Sequence, residues 1–178
     1  MILILSDDIS QNVGHTLYEY LKNNAIESRY ISVSNLKIST CYNCGYCQSK
    51  EYRKCVLKDD MQSLLYEIAR CTHLILVSPL SFGSYSSKIK KLFDRMAVIA
   101  DIHYYVVNKE LVKGMVTPQK GLWSIGVKDS CPTEEKNLFT HLVTENTQIM
   151  NLVGKGFVVE ENPNTNTFNH IMEVITHA

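Results

Sequence analysis

Short uninterrupted apolar runs punctuate this chain, and each leads into a stretch whose apolar positions recur every three to four residues. Met1–Leu5 is the first run, of strand length, and Leu17, Tyr20 and Leu21 then fall at helical spacing. Arg29–Val33 reads as a second strand. After a long polar segment, Asp59 and Asp60 stand where a helix cap belongs, ahead of Met61, Leu64, Leu65, Ile68 and Ala69 on one face. His73–Ser78 is a third strand, stopped by Pro79, and a helix from Ser86 onward turns Ile89, Leu92, Phe93, Met96 and Ala100 inward. Gly121–Val127 and Gly156–Val159 supply the later strands. Leu138, Phe139, Leu142, Val143, Ile149 and Met150 mark a long helix between them, and Phe168, Ile171, Met172 and Ile175 mark the last helix. Residues 101–118 follow neither period and read as an irregular excursion, a candidate dimer contact.

Five short apolar strands alternating with five helices predict an α/β fold, a parallel sheet covered on both faces. The 178 residues carry no Ser/Gly linker, repeat or low-complexity tract, so a single domain spanning 1–178 is expected. Eighteen basic and 18 acidic side chains cancel, leaving no global field for nucleic acid or a membrane surface. No apolar run is long enough to span a bilayer. The apolar start lacks a basic leader, which points to the cytoplasm, where thiols stay reduced and disulfides are the least expected use of the six cysteines.

In a doubly wound sheet, ligands bind at strand carboxyl ends where the strand order reverses. The loops after the first, third and fourth strands are therefore the ones to inspect. The first, from Ser6 through Asp7, Asp8, Ser10, Asn12 and Gly14 to Thr16, is small and polar ahead of a helix. It suits either a phosphate site or a plain polar turn capped by Ser10 or Asn12. The second, Ser78–Ser87, exposes backbone beside Phe82 and Tyr85, as a rim for a planar ring does or a simple Pro/Gly turn before a helix. Trp123 reads as core. The histidines show no metal spacing, and Cys71 and Cys131 read as structural.

Four cysteines fall within fifteen residues as Cys41-x2-Cys44-x2-Cys47-x7-Cys55. Three thiols two residues apart plus a fourth nearby are closer to iron-sulfur ligation than to the separated knuckles of structural zinc. Iron-sulfur binding, zinc and an empty or vestigial loop all remain open. The run Lys50, Glu51, Arg53, Lys54 with Lys58 is net basic and would offset the charge of a thiolate-ligated cluster.

The ordered set Cys41-Tyr42-Asn43-Cys44-Gly45-Tyr46-Cys47, Cys55, Asp59-Asp60-Met61, Ser78-Pro79-Leu80-Ser81-Phe82-Gly83-Ser84 and Lys90-Lys91-Leu92-Phe93-Asp94-Arg95 resembles the flavodoxin-fold NAD(P)H-dependent FMN reductase family, in its cysteine-rich, iron-sulfur flavoprotein branch. The resemblance is dense from Thr40 to Arg95 and weaker towards the C-terminus. It implies a flavodoxin-like three-layer sandwich with a five-stranded parallel sheet in the order 2-1-3-4-5. It also implies non-covalent FMN, NAD(P)H as co-substrate, and a homodimer or homotetramer with flavin at a subunit interface. Carried over by position, Ser6, Ser10, Asn12, Gly14, His15 and Thr16 would hold the phosphate. Pro79, Leu80, Ser81, Phe82 and Gly83 would lie under the isoalloxazine, with Gly126, Val127 and Lys128 in the third contacting loop. Cys41, Cys44, Cys47 and Cys55 would ligate a 4Fe-4S cluster.

Two departures stand out. The phosphate loop is long, with Asp7 and Asp8 where Pro-Arg is usual, and His15 replaces an asparagine. A carboxylate about 7 Å from a phosphate charge repels it by roughly 0.6 kcal/mol in water and about 2.4 kcal/mol at an effective dielectric near 20. A protonated His15 would restore part of the lost positive charge. Ser81 also stands where an aromatic or asparagine is common, with Phe82 one position on. Three functions are compatible with these residues. The first is an FMN-binding oxidoreductase passing electrons from NAD(P)H to a small-molecule or protein acceptor, with no catalytic side chain required. The second is an iron-sulfur flavoprotein electron carrier, and the third a flavodoxin-like binding protein that has lost FMN.

Overall fold

In the computed structural model, which describes residues 1–7 and 13–177, the order of elements is β1 (Ile2–Ser6), α1 (Val13–Asn23), β2 (Ser28–Ser32), α2 (Tyr46–Ser49), α3 (Met61–Ile68), β3 (His73–Pro79), α4 (Ser87–Arg95), β4 (Tyr105–Val107), β5 (Glu110–Val112), β6 (Gly121–Val127), α5 (Thr133–Ile149), β7 (Val153–Val159) and α6 (Thr165–Thr176). The main sheet is parallel in the order β2-β1-β3-β6-β7, which is the expected 2-1-3-4-5 when its own strands are counted.

The period-2 pleat sorts the apolar runs between two cores. Leu3, Leu5, Leu74, Leu76 and Leu122 face α3, α4 and α5 through Met61, Ile68, Ile89, Leu92, Phe139 and Val143. Ile2, Ile4, Ile75, Val77, Trp123 and Ile125 face α1 and α6 through Leu17, Leu21, Phe168 and Ile171. Trp123 is thus a core residue, its indole N–H donating to His73 Nδ1 at 3.3 Å.

Three boundaries differ from the sequence reading. β7 begins at Val153, ahead of the expected Gly156, because glycines in a strand read as loop. Gly154 sits where a Cβ would come within 1.8 Å of the Leu122 carbonyl oxygen, so only glycine lets β7 approach β6. The helix expected to reach Ala100 ends at Arg95 and tightens into a 3-10 turn over Met96–Ile99, since Ala100 becomes extended and bridges Met115. The excursion over 101–118 is not irregular. It folds as an antiparallel ribbon, β4 on β5, turned by Asn108 and Lys109 in the left-handed region (φ 50° and 70°), the backbone of a tight two-residue hairpin. Among the described residues no helix is long and apolar enough to cross a membrane.

Candidate functional site at the strand carboxyl ends

β1, β3 and β6 end side by side. Asp7 N–H donates to the Val77 carbonyl at 3.0 Å, Pro79 pairs in register with Val127, and Leu80 N–H donates to the Val127 carbonyl at 3.0 Å. Short backbone links thus bring Ser6, Pro79, Leu80, Gly126 and Val127 to one rank. Gly14, His15 and Thr16 occupy the first turn of α1. His15 is half-exposed, 3.9 Å from Glu19 and edge-on to Tyr30. Ser10 and Asn12, with Asp8, lie outside the described residues.

Asp7 does not stand as the free acid the sequence suggested. It is buried, and its carboxylate accepts from Ser86 Oγ at 2.5 Å. That hydroxyl caps α4 by accepting from the Ile89 N–H at 3.2 Å, while Ser86 N–H donates to Ser78 Oγ at 2.8 Å. The Asp7 charge therefore lies at a helix N-terminus, where the peptide dipoles favour it.

The turn after Leu80 is closed by reciprocal backbone bonds between Ser81 and Ser84 at 3.2 and 3.0 Å. At its tip Phe82 and Gly83 both take left-handed backbone (φ 51° and 71°), and the Phe82 ring is 94% exposed. A Cβ on Gly83 would come within 2.7 Å of Leu138 Cβ, so glycine is required twice over. Consecutive amides in such a turn form a concave donor pair, a natural site for an anion or a ligand heteroatom. Glu135 fills it. Gly83 N–H donates to Glu135 Oε1 at 3.1 Å, and Lys128 Nζ donates to Oε2 at 2.5 Å. The Lys128 hydrogen bond, then the Gly83 amide, pull the Glu135 carboxyl below its ordinary value. Sequence reasoning missed Glu135. Its only signal was acidity in the first turn of α5, which reads equally as dipole complement.

The cysteine segment has a different character. Cys41, Cys47 and Cys55 are half-buried and Cys44 is exposed, and the four line a cavity of about 90 Å³ with Asp94 and Arg95. Gly45 is left-handed (φ 66°) and Cys47 lies in the single turn of α2, its carbonyl taken by Arg53 N–H at 3.1 Å. Among the described residues no group of three or more His, Cys, Asp or Glu side chains is arranged to hold a metal ion. The expected 4Fe-4S cluster on Cys41, Cys44, Cys47 and Cys55 is thereby overturned, although all four residues line one cavity. All six cysteines are free.

The segment is pinned at its base instead. Arg95, 1% exposed, donates to both Asp59 oxygens at 2.9 and 3.1 Å and to the Ser39 carbonyl at 3.0 Å. Burial alone would raise the Asp59 carboxyl, but the Arg95 hydrogen bond, the Ser39 amide and the guanidinium charge outweigh it and hold it at about 2. Of the two acids expected to cap the helix, only Asp59 does so. Asp59 Oδ1 accepts from Met61 N–H at 3.2 Å, while Asp60 turns away to accept from Lys37 N–H at 2.7 Å.

The family described as NADPH-dependent FMN reductase matches residues 5–118. An iron-sulfur flavoprotein of Methanosarcina thermophila is 28% identical over 91 residues, covering 51% of this chain and 47% of the relative. Iron-sulfur flavoprotein MJ0731 of Methanocaldococcus jannaschii is 36% identical over 80 residues, covering 45% of this chain and 40% of the relative. The matched stretch therefore spans less than half the length of these relatives. The solved structure of Smu.1420 from Streptococcus mutans superposes with a TM-score of 0.65 at 13% identity, covering 99% of this chain and 96% of that one, a likeness of fold.

Proposed function

The chain belongs to the NADPH-dependent FMN reductase family, and from that premise we propose that it binds FMN across the carboxyl ends of β1, β3 and β6 and passes electrons from NAD(P)H to a small-molecule or protein acceptor. The observation that carries this reading is the rank formed by Ser6, Pro79–Gly83 and Gly126–Lys128 on three neighbouring strands, rimmed by an exposed Phe82.

The residues present fit such a group. The first turn of α1, with Gly14 and Thr16, offers a helix N-terminus to a phosphate, and Asp7 is engaged with Ser86. Phe82 gives an apolar wall. The Phe82–Gly83 amides suit ring heteroatoms once Glu135 yields them, and Lys128 supplies a cation at the same edge. When bound, FMN supplies the hydride and electron chemistry. The chain's part is to bind the phosphate, orient the ring and exclude water from it. The exposed apolar ribbon, with Tyr104, Tyr105, Val106 and Leu111, supports a homodimer or homotetramer. Six free thiols support a reducing, cytoplasmic location.

The test is a titration of the purified chain with FMN, followed by quenching of Trp123 fluorescence and by flavin retained after gel filtration, then anaerobic addition of NADPH and of NADH. Retained flavin that loses its visible absorbance with one of the two donors supports the reading. No quenching and no retained flavin at about 1 mM, equivalent to binding weaker than roughly 4 kcal/mol, overturns it.

A further inference from the structure

The basic run at 50–58 finds no cluster charge to offset, yet the structure uses it. Arg53, Lys54 and Lys58 rim a cleft of about 370 Å³ whose lining contains no carboxylate. Its floor is apolar, with Leu65 and Ala69 of the α3 segment and Val98 and Ile99 of the 3-10 turn. Tyr66 forms one wall, held by a 2.7 Å bond from Arg70 Nη1 to its hydroxyl. Among the described residues neither Arg53 nor Lys58 is in an ion pair with an acid: Arg53 donates to the Val116 carbonyl at 3.2 Å and lies 5.2 Å from the Tyr52 ring centre, and Lys58 feels the charge of Glu51. Lys54 reaches Glu51 at 3.1 Å, and Glu67, the acid of α3, is taken by Arg29 at 2.7 Å. In a chain of zero net charge this is a local excess of positive charge over a greasy floor. The cleft lies beside the end of α3, which hands over to the start of β3, whereas the strand-end rank lies past Pro79. The seven residues of β3 put roughly 20 Å between the two.

We propose that this cleft is a second ligand site, for a purine mononucleotide carrying two or three phosphates. The base would lie on Leu65, Val98 and Ile99 against the Tyr66 ring, and the phosphates among Arg53, Lys54 and Lys58. A bare anion leaves the apolar floor unused, and an apolar ligand leaves the cationic rim unused. The volume stands at the small end of the range for ligand pockets, which suits a mononucleotide and is tight for a dinucleotide. The site is independent of the flavin reading, so the two succeed or fail separately.

Calorimetric titration of ADP into the FMN-loaded chain tests it, with adenosine and inorganic pyrophosphate as separate probes. If FMN is not retained, the same titration of the unloaded chain serves, because the substituted side chains lie far from the strand ends. ADP should bind more tightly than either probe, weaken when salt is raised about tenfold, and lose about tenfold in affinity in the R53Q/K54Q/K58Q variant. Tyr66→Ala should cost about threefold, with retained FMN unchanged in both variants. Unfolding curves for these exposed substitutions should overlay the parent. The proposal fails if ADP does not bind at about 1 mM, if the triple variant binds it equally well, or if pyrophosphate matches it.

Discussion

The turn from Leu80 to Ser86 and the segment from Leu36 to Asp60 both carry conspicuous residues, and they are held in different ways. The turn is short and leaves a strand whose last residue is in register with Val127, and its polar atoms meet Asp7, Ser78 and Glu135. The cysteine segment is longer, holds a single helical turn, and is tied down chiefly at its base through Asp59, Asp60 and Arg95. Donor residues at suggestive spacing become a site only when backbone anchors fix where their side chains aim.

The contrast breaks most readily at the anchor. Asp59→Ala leaves a buried guanidinium without its counter-ion and should cost about 3–5 kcal/mol in urea unfolding. In that variant, under native conditions, FMN retention should survive if the strand ends are independent of the cysteine segment. A cost below about 1 kcal/mol would show that the ion pair anchors nothing. Acid probes the same pair without mutation. The Asp59 carboxyl is held at about 2 in the fold, below its ordinary 3.8, so its contribution is complete above the ordinary value and drains away as pH falls from there towards 2. On the order of 2 kcal/mol should go in that window, and the loss should vanish in Asp59→Asn, checked by urea midpoints against pH.

On the other side of the comparison, Gly83→Ala forces a side chain into left-handed backbone against Leu138, for about 1–2 kcal/mol and a loss of FMN affinity. Glu135→Gln keeps an oxygen for one amide while freeing Lys128 and the second donor, so FMN should bind a few-fold tighter. Weaker binding would instead make Glu135 an organiser of the turn rather than its resident competitor. The smallest effect is expected at Cys44→Ser, an exposed thiol, where stability should stay within about 0.5 kcal/mol and the absorbance spectrum should not change.

Much of the architecture was readable from one dimension. The runs Ile2–Leu5 and Leu74–Val77 are apolar on both faces, as a doubly covered parallel sheet demands. Where boundaries shifted, at Gly154 and across 101–118, the cause was a local signal with two readings. Glycine marks a loop or a close strand approach, and Val107-Asn108-Lys109-Glu110 marks a coil or a hairpin. The candidate site was legible in its strand ends but not in Glu135, which lies 52 residues from the Gly83 amide it accepts from.

By itself the sequence determined the sheet, its two cores and the strand ends at which the proposed site lies, because burial periodicity is local and repeats within each element. The tertiary structure alone decided that Asp7 belongs to α4, that Glu135 occupies the Phe82–Gly83 amides, and that the four cysteines line a cavity without the arrangement that holds a metal. Each depends on the direction of a side chain relative to an element distant in the chain, and periodicity holds no information about direction across such a gap.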